Sequence, residues 1–239
     1  MDLLIDSGNT FIKVAFCSCN SIDEVNQVEG LEELKAIGVK YKPENILISS
    51  VNKEVSEIQK CFPTSKTVHL SYLTPIPIKN LYASPATLGM DRLAGVIGAS
   101  ELFKGENCLC IDAGTCITYD LIDSNNQYLG GSISPGIDMR FRALHTFTAK
   151  LPLIERKSNV KLIGGTTEES IQSGVLHGVI KELEGIIDNY KKEYKALKII
   201  ITGGDAIFFE SNLKGSIFVE PNLLFIGLKR ILEYNVSKF

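Results

Sequence analysis

An aspartate that closes an apolar run is costly unless something holds its charge, and this chain places two in the same setting. Asp6 closes LLID before Ser-Gly-Asn-Thr, and Asp112 closes LCID before Ala-Gly-Thr-Cys. Laying LLIDSGNTFIKV over LCIDAGTCITYD needs a shift of 106 residues and no gap; Ile5 then meets Ile111, Asp6 meets Asp112 and Gly8 meets Gly114. Each copy reads as strand, tight turn and second strand, a β-hairpin around a concavity of phosphate size. Glycine in the turn lets a ligand approach the backbone, while Asn9, Thr10, Thr115 and Thr118 supply short polar groups and N–H donors. Carboxylates do not bind phosphate unaided. Asp6 and Asp112 are therefore expected to hold cations or oriented waters against phosphate oxygens, with the two hairpins clamping a nucleotide between two half-domains. A capped turn explains a single copy equally well; two copies at matched strand positions favour phosphate. The chain contains neither G-x-x-x-x-G-K-[ST] nor G-x-G-x-x-G, so the P-loop and Rossmann cradles are excluded.

Two further stretches could serve such a site. In IIITGGDA an apolar strand ends at Thr202, Gly203 and Gly204, which is either a platform for adenine or ribose or a bare strand-to-helix turn. In YASPATLGMDR, Asp91 falls near a helix start, where an acid complements the helix dipole and Arg92 can be its surface partner. Phosphoryl transfer asks for a carboxylate on the acceptor hydroxyl and an arginine for phosphate charge, and the same pair supplies both.

The elements that must position these residues alternate. Strand-like runs occur at about 2–6, 11–17, 45–50, 67–70, 107–112, 116–122, 198–202 and 216–219. Helical patterns occur at about 31–37, 52–60, 90–103, 138–146, 167–194 and 222–236, the longest with Ile171, Val175, Val179, Leu183 and Ile186 on one stripe. The fold class is α/β.

With 239 residues, 44% apolar, the chain can bury one large core or two modest ones. A net charge of -3 offers no basic footprint for nucleic acid or an anionic membrane. No run is long enough to span a bilayer and Met1-Asp2 lacks a basic signal start, so a cytoplasmic protein is expected. The six cysteines lie mostly in strand-like runs and are expected as buried, reduced thiols; the C-x-C pairs lack zinc spacing.

Four ordered motifs resemble the type III pantothenate kinases, a branch of the acetate kinase, sugar kinase, Hsp70 and actin superfamily. DSGNTFIK is similar to the first phosphate motif D-x-G-N-T, YASPATLGMDR to Y-x-x-P-x-x-L-G-x-D-R, DAGTCITYD to the second phosphate motif, and GGTTEESIQSG to T-x-x-S-x-Q-S-G. Cys116 stands where the family usually has alanine. The resemblance implies a duplicated ribonuclease H-like, actin-like ATPase fold, with half-domains 1–106 and 107–239 and a cleft between them. It implies ATP-dependent phosphorylation of pantothenate to 4'-phosphopantothenate in coenzyme A biosynthesis, with Mg²⁺, and a homodimer. An alternative under the same resemblance is a Bvg accessory factor-like regulatory protein without kinase activity.

Carried over by residue, the resemblance implies that Asp6, Ser7, Gly8, Asn9, Thr10, Phe11, Ile12, Lys13 and Thr115 bind ATP, and that Asp91 accepts the proton. Tyr82, Gly89, Met90, Asp91, Arg92 and Thr167 would contact pantothenate, although Tyr82 reads equally as a core aromatic and Thr167 as the N-cap of the long helix. Asp112 would bind a monovalent cation, K⁺ or NH₄⁺. The gap-free alignment sets Tyr119 opposite Lys13, so the second copy lacks a cation of its own.

Overall fold

The computed structural model describes residues 1–8, 11–18, 21–50 and 55–236. In chain order the elements are β1 (Asp2–Ser7), β2 (Ile12–Cys17), β3 (Ile22–Val28), α1 (Leu31–Tyr41), β4 (Asn45–Ser50), α2 (Val55–Lys60), β5 (Lys66–His69), β6 (Lys79–Asn80) and α3 (Met90–Leu102). There follow β7 (Cys108–Ala113), β8 (Cys116–Ile122), β9 (Gln127–Pro135), α4 (Ile137–Thr146), α5 (Thr167–Glu193), β10 (Lys198–Thr202), α6 (Ala206–Asn212), β11 (Phe218–Val219) and α7 (Leu223–Val236). One sheet has the order β3-β2-β1-β4-β5, and the other repeats it as β9-β8-β7-β10-β11, with the two-residue β6 added outside β9. In each, the first strand runs antiparallel to the second and parallel to the fourth, which in turn runs parallel to the fifth. The duplication read from the hairpins extends to the whole succession of strands.

Contacts divide the chain into two compact units. The first comprises Met1–Lys104, Asn126–Tyr128 and Asn222–Phe239; the second comprises Gly105–Asn125 and Leu129–Pro221. The C-terminal helix, expected in the second half, thus groups with the first, because α7 packs on α3 and against β1 and β4. The first unit buries Leu3, Ile5, Val14, Ile46 and Ile48 from its sheet with Leu34, Ile58 and Phe62. In the second, Ile111, Ile117, Tyr119 and Ile201 pack with Phe141, Phe209 and the α5 stripe Ile171, Val175, Val179, Leu183 and Ile187. Ile187, rather than the expected Ile186, continues the buried stripe, with Ile186 packed at its margin.

Four elements, β3, β6, β9 and α6, differ from the sequence expectation, β6 having only two residues. β3 is a charged edge strand, DEVNQ within its length, with little apolar alternation to mark it. β9 carries Gly130, Gly131 and Pro135, residues that read as turn signals. α6 has only seven residues and follows the paired glycines directly. The expected helix at 52–60 is described from Val55 to Lys60, its first three residues lying outside the described residues.

The α3–α7 crossing brings the two backbones unusually close. A Cβ on Gly227 would fall 1.8 Å from the Ala94 carbonyl oxygen, and one on Gly98 2.2 Å from that of Leu223. Because both obstacles are backbone, neither can swing aside. Gly227→Ala is expected to destabilise the protein by about 1–3 kcal/mol or more in urea unfolding. Gly185→Ala, on an exposed part of α5 with open space around it, should stabilise by roughly 0.5–1 kcal/mol. Equal effects at the two positions would refute the close approach.

Candidate active site

Asp6 sits in β1 with Lys13 of β2 and Ser49 of β4 as its register partners, so its position is fixed from both sides. Burial pushes its carboxyl up from 3.8 to about 6, and the nearby Asp91 pushes the same way. Lys13 and a hydrogen bond from Ser49 pull it back only partly. The first unit therefore brings together two carboxylates that lie 85 residues apart in sequence. Spacing alone carried no signal of this convergence. Ser7 is buried, and Gly8 closes the turn through its N–H to the Phe11 carbonyl at 3.1 Å. Phe11 is exposed at the tip, Ile12 is buried in β2 and Lys13 is exposed. Asn9 and Thr10, both expected to bind ATP, lie outside the described residues.

Asp91 is the second residue of α3 and is exposed, and its Oδ1 accepts from the Arg92 N–H at 2.8 Å. The carboxylate folds over Gly89, where a Cβ would stand 2.4 Å from Oδ1. Arg92 is only 9% exposed, so its side chain is buried and not on the surface, where the helix-start reading places it. Its guanidinium lies 5.6 Å from the ring centroid of half-buried Tyr82. Met90, half-buried, opens the helix.

In the second unit the hairpin is one residue shorter than the gap-free alignment requires. Asp112 pairs with Thr118, and Tyr119 pairs with Ile111. Tyr119 therefore points to the opposite face, where it is fully buried and its hydroxyl donates to Glu182 at 3.3 Å. Glu182 also accepts from Ser134 Oγ at 2.6 Å and from Arg140 Nη2 at 2.8 Å. Burial raises the Glu182 carboxyl, but these hydrogen bonds and the Arg140 charge outweigh it and hold the group below the usual range. Thr118, a neutral residue, stands where the first hairpin has Lys13.

The TGGDA turn closes on this hairpin. Gly203 has φ of 92°, and a Cβ there would lie 2.5 Å from both Asp112 Oδ1 and the Ala113 carbonyl oxygen. The Asp205 N–H donates to that carbonyl at 2.9 Å, while its carboxylate pairs with Arg156 at 2.5 Å. Exposed Thr115 accepts from the Gly136 N–H, at 3.1 Å, at the start of α4.

Thr167 is the first residue of α5, exposed, and lines an open groove of about 740 Å³ with Arg140, Leu144, Phe147 and Leu151. The N-cap is Thr166 instead. Its hydroxyl accepts from the Glu169 N–H at 3.2 Å and Glu169 accepts from the Gly165 N–H at 2.7 Å, a capping arrangement set by the T-x-x-E spacing one residue earlier. Two other residues of the same motif are structural: Gln172 clasps the backbone at Glu155 and Lys157, and Ser173 Oγ donates to the Leu162 carbonyl at 2.5 Å. Cys17, Cys61, Cys108 and Cys110 are buried free thiols, with burial pushing Cys17 and Cys108 up to about 12. Among the described residues no three His, Cys, Asp or Glu side chains cluster as a metal cage, and no helix is long and apolar enough to cross a membrane.

Solved structures define the class through the fold. A glucokinase from an Antarctic psychrotroph matches with a TM-score of 0.52 at 13% identity over 98% of each chain. A Campylobacter jejuni protein described as a Baf family transcriptional activator matches with a TM-score of 0.66 at 23% identity, over 98% of this chain and 99% of the other. At these identities the likeness concerns the fold alone, the duplicated ribonuclease H-like architecture shared with sugar kinases and actin-like ATPases. The particular family follows from sequence. The profile of type III pantothenate kinase matches residues 2–189, and the type III pantothenate kinase of Christiangramia forsetii is 44% identical over 243 aligned positions, covering 100% of both chains. The chain belongs to the type III pantothenate kinase family.

The raised carboxyl of Asp6 has a consequence for stability. Its folded pKa lies above the ordinary 3.8, so between about pH 4 and 6 the folded protein binds more protons than the unfolded chain, and stability falls as pH rises through that window. Asp6→Asn is expected to flatten this decline and to raise stability at pH 7.5 by about 1–3 kcal/mol relative to pH 4. Urea unfolding at the two pH values measures it. An equal effect at both would show that Asp6 ionises without penalty.

Proposed function

We propose that this protein transfers the γ-phosphoryl group of ATP to the primary hydroxyl of pantothenate, giving 4'-phosphopantothenate, the first step of coenzyme A biosynthesis. The observation that carries the reading is the pairing of Asp6 with Asp91 in the first unit, one carboxylate on the phosphate hairpin and the other at the head of α3. Asp91, exposed and held over Gly89, takes the hydroxyl proton. In the first unit the segment Asp6 to Lys13 holds nucleotide phosphates, with Lys13 as the side-chain cation of its hairpin; in the second unit Thr115 is read in the corresponding role. Mg²⁺ bound with ATP supplies positive charge for the transferring group. Asp6 would hold that ion, since a cation at its carboxylate would relieve the repulsion from Asp91. Tyr82, Gly89, Met90 and Arg92 of the first unit receive pantothenate, whose carboxylate suits a guanidinium fork, and Thr167 of the second unit is by its motif a pantothenate contact as well.

Asp112 holds a monovalent cation, K⁺ or NH₄⁺. Its register partners are Thr118 and Thr202, and the Gly203 turn brings the Ala113 carbonyl oxygen close to its carboxylate; carboxylate, hydroxyl and carbonyl oxygens in an irregular turn suit a large ion better than octahedral Mg²⁺. The active form is a homodimer in the cytoplasm, where ATP is the phosphoryl donor. The groove between α4 and α5, with Phe147 85% exposed, gives a second copy an apolar seat.

A coupled assay with ATP and a panel of alcohols tests the reading, with turnover on pantothenate expected. No turnover on any acceptor would leave a regulatory role. Asp91→Asn should fold and bind ATP while kcat falls by about two to four orders of magnitude. Near-native kcat with chemistry limiting would reduce Asp91 to a helix-start residue. For the cation, rates should be high in K⁺ or NH₄⁺ and low in Na⁺ or tetraalkylammonium at constant ionic strength, with the difference lost in Asp112→Asn. Equal wild-type rates in all four salts would exclude a cation site.

A further inference from the structure

The segment that delivers Tyr82, Gly89, Met90, Asp91 and Arg92 has little regular structure ahead of α3, only the two residues of β6 and a 3₁₀ turn at Pro85–Thr87. Its start is tied to Tyr128, at the second position of β9. Asn80 lies in register with Tyr128, and the Tyr128 carbonyl accepts from the Leu81 N–H at 3.0 Å. Asn80 Oδ1 in turn accepts from the Tyr82 N–H at 2.9 Å. The rings follow the backbone: Tyr128, with no exposed surface, lies nearly parallel to Tyr82, with centroids 6.0 Å apart and planes at 11°. Tyr82 then presents its ring to the buried Arg92 guanidinium at 5.6 Å.

The geometry points to Tyr128 as a positioning residue for the acceptor side of the site. Its enclosed ring sets the plane of half-buried Tyr82, and through that ring the place of the Arg92 guanidinium, so that the acceptor meets a surface formed in advance. Holding a flat ring by stacking costs less ordering entropy at the moment of binding than fixing it with the ligand. The inference rests on the reading that Tyr82 and Arg92 contact pantothenate. Tyr128 itself, with no exposed surface, would not meet the acceptor or the reacting atoms. Its loss should therefore appear in the acceptor KM and leave kcat and the ATP KM alone. A residue that merely fills the core would be replaced by leucine with a change in stability only.

The test compares Tyr128→Leu, Tyr128→Met and Tyr128→Phe in the full chain, with the methionine variant serving if leucine does not fold. Steady-state kinetics are measured in both substrates. Fluorine NMR of protein labelled with 3-fluorotyrosine reads the ring directly, the Tyr82 resonance being assigned through Tyr82→Phe. The unstacked variants should raise the pantothenate KM by roughly three- to tenfold, the range of one aromatic pair, and shift the Tyr82 resonance. Their kcat and ATP KM should stay within about twofold, and phenylalanine, which keeps the ring, should hold the pantothenate KM closer to wild type than leucine or methionine does. An unchanged pantothenate KM in a folded unstacked variant, parallel rises in both KM values, or a phenylalanine variant as impaired as leucine would each overturn the proposal. Should the wild type show no turnover of pantothenate, the functional reading fails by itself. An unmoved Tyr82 resonance in the unstacked variants would still overturn the positioning role.

Discussion

The Asp6 carboxylate is placed where its surroundings oppose its charge, and much of the first unit follows from that conflict. Burial and Asp91 both favour the neutral acid, while Lys13 and Ser49 only partly restore the ion. A flexible chain would relax by moving the two carboxylates apart. Here β1 is paired on both sides along its whole length, and α3, which carries Asp91, is locked to α7 by backbone contacts that exclude a methyl group. The repulsion is retained because the frame on either side is stiffer than the force between the two groups.

The second unit solves the matching problem with different chemistry. Asp112 occupies the equivalent place at a strand end, yet the hairpin is one residue shorter and presents a neutral threonine opposite it. The shortening also turns Tyr119 away from the turn and into the core, where it joins Ser134 and Arg140 on Glu182. That cluster ties β8, β9 and α4 to α5. The start of α4 in turn accommodates the hairpin through the Gly136 N–H and the Thr115 carbonyl. A change of one residue in loop length thus alters the local charge and builds a structural anchor.

What was legible in the sequence was whatever depends on strong local patterns. The two aspartate hairpins, the alternation of strands and helices, and the head of α3 at Met90 follow from apolar runs broken by glycine and polar residues. β3 and β9 were invisible because one is a polar edge strand and the other is interrupted by glycines; both are held by neighbouring strands rather than by their own propensity. Residue types singled out Asp6, Asp91, Arg92 and Asp112 as the candidate site. The convergence of Asp6 on Asp91, the burial of Arg92 and the stack of Tyr128 on Tyr82 are tertiary facts without a sequence period. The Thr166 cap was legible in principle, since the T-x-x-E spacing marks it over Thr167.

The succession of strands repeats almost without change, so the features peculiar to each unit lie where the repeat is broken. Both sheets supply the same frame, a first strand ending in aspartate between an antiparallel and a parallel neighbour. The first unit departs from it with the long connection between β5 and α3, which carries Tyr82 and Gly89 and is anchored by Tyr128. The second departs with the segment from Phe147 to Thr166, clasped to α5 by Gln172 and Ser173 and tied to the TGGDA turn by Arg156 and Asp205. Lys13 and Thr118 are the smallest departure, one side chain in one register position. A frame common to both units fixes the two aspartates with equal firmness. Because the inserted segments are held to it by a few polar bonds and one aromatic stack, they can be re-aimed without disturbing the core. A fold of this kind can keep its phosphate chemistry while changing its acceptor.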